Sequence, residues 1–519
     1  MHIVDFLVKA ANRYPDNVVV VHGATQFTAQ QLLERVYQVS NALLGLGLSK
    51  GDRVALLLNN CHQGVESIYG TVRAGLVMVP MNARYSPKEL ISVLNHAEAR
   101  AIIVGPEFVQ TIESIRSKVP SLLHVVALAE KASPAMLSYE ELLNKASMEE
   151  PSVEISENDL ISLRYTGGTT GPPKGVIHDH RSNIAILNNI LMNDFMIEEG
   201  DAIALSGPIT HASGFMILPH IVRGAKVILL SHFDFKEFLE TIEREKVTTL
   251  YLVPTMIVMM LAHPDLKKHD LSSLKTIRYG ASPISPEVLR RGVEAFGSIF
   301  VQAYGLTEGG MLLTLLSKSD HLLNGNEKSP KRLCSVGRAV ASVQVKIMDD
   351  RGHILPAGEV GEIVTQSDQN MRGYWKNPEA TAEALRNGWL HTADIGWMDE
   401  EGYIYLLDRK GDMVISGGFN IYPKEVEDVL YMHPAVLEAA AFGVPDEVWG
   451  ESIKAVISLK PGMTATEAEI IEHCKNHLAP FKKPKSVDFI QELPKSSYGK
   501  ILRRRLKEPY WEGRARMIN

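Results

Sequence analysis

Cysteine is nearly absent from this chain. Cys61, Cys334 and Cys474 are scattered over 519 residues and form no Cys-x-x-Cys pair. That argues against a disulfide framework or a zinc site and fits a reducing cytoplasm. Positive charge is also scarce: 54 lysines and arginines face 61 acidic residues, a net charge of −7. With no long basic run, nucleic acid is not an expected partner. The N-terminus, Met1-His2-Ile3-Val4-Asp5, lacks the basic and apolar regions of a signal peptide, and Arg516-Met517-Ile518-Asn519 carries no address signal. The longest apolar run, Leu250 to Ala262, is broken by Pro254 and is too short for a transmembrane segment. Internal repeats and low-complexity tracts are missing too. The expected product is a cytoplasmic globular protein.

What is present is a long alternation of strands and helices. Hydrophobic residues make up 45% and charged residues 22% of the chain, an ordinary globular balance. Thr28-Ala-Gln-Gln31 reads as a capping box ahead of Leu32, Leu33, Val36, Val39 and Leu43 at helical spacing, with Gly45 and Gly47 as stops. Ser86-Pro87-Lys88-Glu89 opens another helix. Short apolar runs at Val54–Leu58, Ala101–Val104, Lys226–Leu230, Leu250–Val253 and Thr276–Tyr279 read as buried strands. Such alternation implies parallel sheets covered by helices. Near Asp408-Arg-Lys-Gly-Asp412 the texture changes to a short polar, glycine-bearing stretch suited to a hinge. The predicted fold is α/β: a large compound N-terminal lobe over residues 1–409, then a small mobile α+β domain over 410–519. In the latter a helix is expected from Lys424 to Met432, strands at Val436–Phe442, Ile453–Leu459 and Ser486–Ile490, and a capped helix after Thr466-Glu-Ala-Glu469.

The most informative segment runs from Tyr165 to Gly175: Tyr-Thr-Gly-Gly-Thr-Thr-Gly-Pro-Pro-Lys-Gly, with four glycines, three threonines and one lysine. Glycines let backbone N–H groups crowd an anion, threonine hydroxyls add donors, and Lys174 adds a mobile charge, which together make a polyphosphate grip. It is not the common P-loop, because Pro173 precedes the lysine and no Ser or Thr follows it. Four clusters accompany it. Tyr304-Gly-Leu-Thr-Glu308 follows the strand-like Ile299–Val301, and a carboxylate there suits Mg²⁺ beside phosphate oxygens. Gly280-Ala-Ser-Pro283 follows another strand and has small residues a flat base can lie against. Asp394 can accept ribose hydroxyl protons, with Arg409 fifteen residues on as a clamp. Lys500 sits in the polar loop Pro494-Lys-Ser-Ser-Tyr-Gly-Lys500, ahead of the basic Arg503-Arg504-Arg505. Singly, each of these residues reads as a cap or a solvated charge.

In order and spacing these motifs resemble the AMP-forming adenylate superfamily: acyl- and aryl-CoA ligases, luciferases and peptide-synthetase adenylation domains. The resemblance runs from about residue 10 to about residue 508. It implies that Thr166, Gly167, Gly168, Thr169, Thr170, Gly171 and Lys174 grip ATP phosphates. Gly280, Ala281, Ser282, Pro283 and Tyr304 would border adenine, and Asp394 and Arg409 would hold ribose. By the same resemblance Glu308 binds Mg²⁺, Thr307 lies near the α-phosphate, and Lys500 bridges the carboxylate and α-phosphate. His211 would stand beside the acyl site. Gly417, Gly418 and Phe419, within Ser416–Asn420, would line the tunnel for coenzyme A, and Gly411 would be the hinge. Three positions depart from the pattern: Gly168 stands for serine, Ala393 for glycine, and Gly411 for Asp or Lys. Gly361-Glu-Ile-Val-Thr-Gln-Ser367 replaces the plant coumarate-ligase box, so that subfamily is not supported.

The activity so implied is acid–CoA ligation: MgATP and a carboxylic acid give acyl-AMP and pyrophosphate, and coenzyme A then takes the acyl group. The alternatives are a free-standing adenylation enzyme that loads a carrier protein, and an ATP- or acyl-binding homologue without turnover. Candidate acyl-binding residues are His211, Ser213, Phe215, Met216, Gly305, Gly309, Gly310 and Met311. With no acidic residue among them, amino acids are disfavoured. Gly309 and Gly310 are read as leaving width for an aryl ring or an alkyl chain. The expected substrate is a medium- or long-chain fatty acid or a phenylpropanoid-type aryl acid such as ferulate or coumarate. A homodimer stays open.

Overall fold

The computed structural model describes the chain apart from residues 130–135, 167–172, 194–195, 283, 323–330, 418, 496–500 and 513–519. Local signals place its helices. Thr28 and Gln31 form a reciprocal capping box at the start of helix Ala29–Gly45, whose buried face includes Leu32, Leu33, Val36, Val39 and Leu43. The same box recurs at Ser86 with Glu89 and at Thr466 with Glu469. Each satisfies two donors that the first helical turn otherwise leaves bare. Pro254 ends no structure: strand Thr249–Leu252 stops just before it, and it opens helix Pro254–Ala262. Among the described residues no helix is long and apolar enough to cross a membrane.

Among the described residues the strands form four sheets. A nine-stranded sheet carries Thr276–Gly280 and Phe300–Tyr304 as parallel neighbours. An eight-stranded sheet carries the parallel strands Arg53–Leu57, Val77–Pro80 and Ala99–Val104, with Leu160–Thr166 beside Val77–Pro80. A five-stranded antiparallel sheet contains Trp389–Met398 paired with Ile404–Arg409. The last sheet, also five-stranded, begins at Val414–Ser416 and includes Val436–Asp446, Gly450–Leu459 and Ser486–Phe489. It has its own apolar core with helices Pro423–Met432 and Glu467–His477. The result is a large sheet-rich N-terminal lobe and a smaller C-terminal one.

Arg503 joins both ends of the polar stretch at 408–412 to the helix that follows it. Its Nη1 lies 3.1 Å from Asp408 Oδ1 and 3.8 Å from Asp412, and its Nε donates to Glu427 Oε1 at 2.8 Å. Asp408 also accepts the Lys424 N–H at 3.2 Å. At Gly411 a β-carbon would meet nothing within 4 Å, and φ is not positive, so this conformation does not demand glycine.

Four fully buried histidines, His178, His180, His220 and His321, are each held near a pKa of about 4, chiefly by burial. Their folded pKa values lie below the ordinary 6.5, so the unfolded chain binds more protons between those limits. Stability should therefore fall as pH drops from about 6.5 towards about 4. Denaturant unfolding at pH 7 and pH 5 should give a midpoint clearly lower at pH 5. Equal midpoints would mean that these imidazoles are not buried neutral.

Candidate active site

The two ends of the glycine- and threonine-rich segment belong to an antiparallel pair. Strand Leu160–Thr166 pairs with Lys174–Asp179, with Tyr165 opposite Gly175 and Thr166 opposite Lys174. Gly167, Gly168, Thr169, Thr170 and Gly171 lie outside the described residues. The hairpin explains why the segment departs from a P-loop: a second strand follows it, and no helix N-terminus stands behind the lysine. A β-carbon on Gly175 would stand 3.1 Å from the Tyr165 ring, so that glycine lets the hairpin stem close.

Glu308 lies where this hairpin meets the turn after strand Phe300–Tyr304. Its Oε1 accepts the Tyr374 hydroxyl at 3.0 Å and Thr166 Oγ1 at 3.5 Å, and no hydrogen bond among the described residues reaches Oε2. Lys174 Nζ lies 5.0 Å from the Tyr374 ring centre. Burial, and then the Glu308 carboxylate, push the Tyr374 phenol far above its ordinary pKa, so it stays a donor. Tyr374 reaches the site because Gly373–Tyr374 adds to the edge of the hairpin, opposite Ile177 and Val176. Thr307 presents its carbonyl to His178 Nε2 at 2.8 Å. Among the described residues no group of three or more His, Cys, Asp and Glu could hold a metal by itself. One carboxylate with an open oxygen fits Mg²⁺, which keeps waters and takes phosphate oxygens as ligands.

Asp394 is the second anchor. It is 5% exposed, its Oδ2 accepts the Tyr304 hydroxyl at 2.7 Å, and its Oδ1 accepts Arg409 Nε at 3.2 Å. Asp394 and Arg409 are direct cross-strand partners. Burial works against the Arg409 charge, but Asp394, Glu308 and Tyr304 raise its pKa on balance. The position before Asp394 has a special backbone: Ala393 has φ +59°. Glu362 Oε1 accepts the Ala393 N–H at 3.0 Å, and Ala393 O accepts the Lys410 N–H at 2.9 Å. Glu362 is in turn approached by His391 at 3.1 Å. The departure from glycine noted in the sequence thus falls where glycine would be unstrained.

The other nucleotide candidates cluster at the ends of adjacent parallel strands. Gly280 ends Thr276–Gly280, and Ala281 follows at φ +67°. Ser282 comes next, and Pro283 lies outside the described residues. A β-carbon at Gly280 would come within 2.4 Å of Ala303 O, so the neighbouring strand fills the room its hydrogen leaves.

The acyl candidates occupy two loops. His211 has Nδ1 3.0 Å from Thr210 Oγ1, and burial followed by the Arg164 charge lowers its pKa to about 4. Ser213, Phe215 and Met216 lie in the short helix Ala212–Met216, where Ser213 and Met216 are buried and Phe215 is half-buried. Arg278, 3% exposed, sets its guanidinium against Met216 Sδ and 5.7 Å from the Tyr251 ring centre. The second loop corrects one expectation. β-Carbons at Gly309 and Gly310 would meet Leu306, Leu313, Ile186 and Gln369 at 2.9–3.0 Å, and one at Gly305 would meet the Met311 backbone at 2.4 Å. The space beside these glycines is taken by protein, and they serve close packing of a turn that also holds Gly310 at φ +75° and Met311 at φ +69°.

In the C-terminal lobe, Gly417 has φ +56°, and a β-carbon there would meet the Trp449 ring at 2.5 Å. Its N–H donates to Trp449 O at 2.8 Å. Phe419, 55% exposed, stacks on Phe481 at 4.7 Å, and Lys485 lies 5.7 Å from the Trp449 ring centre. Gly418 and Lys500 lie outside the described residues, while Lys495 and Ile501 pair across the latter's loop. Sequence reasoning missed Tyr374, Glu362, Trp449 and Phe481. Tyr374 had a signal, in that an aromatic pair follows Arg372-Gly373, but nothing local ties it to Glu308.

Comparison with known proteins identifies the family. The AMP-binding enzyme family matches residues 7–375, and the AMP-binding enzyme C-terminal domain matches residues 425–500. Feruloyl-CoA synthase of an Amycolatopsis species is 36% identical over 96% of both chains. The medium/long-chain-fatty-acid–CoA ligase FadD8 of Mycobacterium tuberculosis is 34% identical over 99% of this chain and 90% of that relative. The crystal structure of the anthranilate CoA ligase AuaEII in complex with anthranoyl-AMP superposes with a TM-score of 0.89 at 30% identity, over 98% of this chain and 97% of that one. The chain belongs to the AMP-binding enzyme family, the adenylate-forming superfamily. Within it, this protein is an AMP-forming acid–CoA ligase.

The strain at Ala393 is testable. Ala393→Gly relieves a left-handed alanine but loosens the unfolded chain, for a net gain of about 0.5–1 kcal/mol. Chemical denaturation should show a higher midpoint with an unchanged slope. A lower midpoint would mean that Glu362 and Lys410 do not hold this residue left-handed.

Proposed function

We propose that the protein activates an aryl acid of phenylpropanoid size and passes it to coenzyme A. The observation that carries the size is Arg278: its buried guanidinium is set against Met216, a candidate acyl residue, and a polar group there suits a long alkyl chain poorly. Half-buried Phe215 and Tyr251 offer flat faces to a ring. A medium- or long-chain fatty acid is the second reading, favoured by the 34% identity to FadD8.

ATP would lie with its ribose on Asp394 and Arg409, adenine beside Gly280–Pro283 and Tyr304, and the β- and γ-phosphates in the loop from Thr166 to Lys174. Glu308 would hold Mg²⁺, which when bound neutralises phosphate charge. Thr307 would face the α-phosphate. A substrate carboxylate oxygen attacks the α-phosphorus and pyrophosphate leaves. Both reactants are anions, so Lys500 would offset their repulsion. The coenzyme A sulfur then attacks the acyl carbon of the acyl-AMP, and AMP leaves. Gly417, Gly418 and Phe419 would line the thiol's path. The exposed Trp449 and Phe481, with Lys485, give that face aromatic surface and positive charge for a nucleotide.

We place the lobe boundary at 409/410 with Gly411 beside the pivot. The last cross-strand pair of the larger lobe ends at Arg409, and the separate sheet begins at Val414. Reorientation of the small lobe would present Lys500 in the first step and the Gly417 face in the second. A cytoplasmic location suits three cysteines that remain free thiols.

Two measurements test these readings. Pyrophosphate release with coenzyme A, screened across acetate, octanoate, palmitate, benzoate and ferulate, should be fastest with ferulate. A preference for palmitate would favour the fatty-acid reading. Lys500→Ala should lower adenylation by about 10²-fold or more while thioester formation from supplied acyl-AMP stays near wild type. Equal loss in both steps would defeat the division of labour.

A further inference from the structure

Among the described residues Arg164 is a cation without an anion. It sits in strand Leu160–Thr166 among Ile161, Ser162, Leu163 and Tyr165, all buried. No carboxylate among the described residues lies within ion-pair distance of it. Of its five N–H donors, Nη1 gives a hydrogen bond to Thr210 O at 3.1 Å, while Nε is buried and has no partner among the described residues. The guanidinium stacks 4.4 Å from the Phe215 ring centre. Burial draws its pKa down to about 10, which leaves it charged at neutral pH.

Arg164 is half-buried, with its Nε shut off from solvent. A partly desolvated charge with no counter-ion is costly, and such a group suits a place where a ligand supplies the opposite sign. The position says which ligand. Side chains alternate along a strand, so Arg164 and Thr166 share a face, about 7 Å apart. Thr166 reaches Glu308 at 3.5 Å, at the nucleotide end of the site. On its other side Arg164 touches Thr210 and Phe215, which bracket His211, a candidate acyl residue. Arg164 therefore stands between the nucleotide carboxylate and the acyl region, where the acid's own carboxylate has to come. His211, uncharged at neutral pH, does not compete for that carboxylate.

We propose that Arg164 binds the incoming substrate carboxylate and draws it towards the triphosphate before adenylation. This rests on the ligase reading given above. Once the mixed anhydride forms, the acyl group is neutral and its hold on Arg164 weakens, freeing it for transfer.

Binding without turnover tests the assignment. With a non-cleavable α,β-methylene ATP present, calorimetry would compare ferulate with its primary amide, and octanoate with octanamide. Wild-type protein should prefer the acid of its own substrate class by about 10-fold or more, as for a charge-assisted hydrogen bond. Arg164→Met should reduce that preference to within about twofold, and Arg164→Lys should restore most of it. Arg164→Met should also melt at or above the wild-type temperature, because it removes an unpaired charge and keeps the volume. A variant that melts lower and still prefers the acid would assign Arg164 a packing role and overturn the proposal. If wild-type protein binds neither acid nor amide, the ligase reading and this inference fall together. If wild type and Arg164→Met prefer the acid equally, the inference alone falls.

Discussion

A carboxylate drawn out of solvent has to keep its partners, and two such groups, the buried Asp394 and the half-buried Glu308, tie this molecule together. Asp394 belongs to the antiparallel five-stranded sheet, Tyr304 to the nine-stranded sheet, and Arg409 to the last strand before the small lobe. The 2.7 Å and 3.2 Å bonds that satisfy Asp394 therefore fix two sheets and a chain exit against one another. Glu308 does the same for the nine- and eight-stranded sheets, through Tyr374 and Thr166. Removing one partner would leave a desolvated charge, which costs several kcal/mol. On the proposed reading, the groups that hold the sheets in place are also the groups that would be offered to a nucleotide, so an incoming ribose or metal would substitute for contacts that are already half-built.

Much of the architecture was legible because its signals are local. Capping boxes at Thr28, Ser86 and Thr466, the proline before Thr255 and the strand runs all act within a few residues. The motif residues at strand ends were legible too, since a parallel sheet brings consecutive carboxyl ends to one edge. What escaped acts across sheets. Tyr374 meets Glu308 from 66 positions away, and Glu362 holds Ala393 from 31. No periodicity encodes such meetings.

Glycine was the least readable residue. Gly309 and Gly310 suggested an open pocket, and in three dimensions neighbours occupy their space. Ala393 replaces the glycine of the pattern, and it stands in the left-handed region. A missing side chain says that something comes close, but whether that is ligand or protein depends on residues far along the chain. Gly417, pressed against Trp449, is a case where both demands, a positive φ and a close approach, fall on one position.

The three carboxylates around Arg503 set a tempo. Asp408 opens the polar stretch at 408–412, Asp412 closes it and Glu427 lies beyond it. A rotation of the small lobe about residues 409–411 has to carry Arg503 away from Asp408 or drag that strand end along. The ion cluster would then be a detent: stiff enough to make the lobe dwell in one orientation, and weak enough to release once per turnover. Its strength falls with ionic strength at the exposed edge, so on the proposed reading the time spent between the two half-reactions would depend on the surrounding salt as well as on the chain.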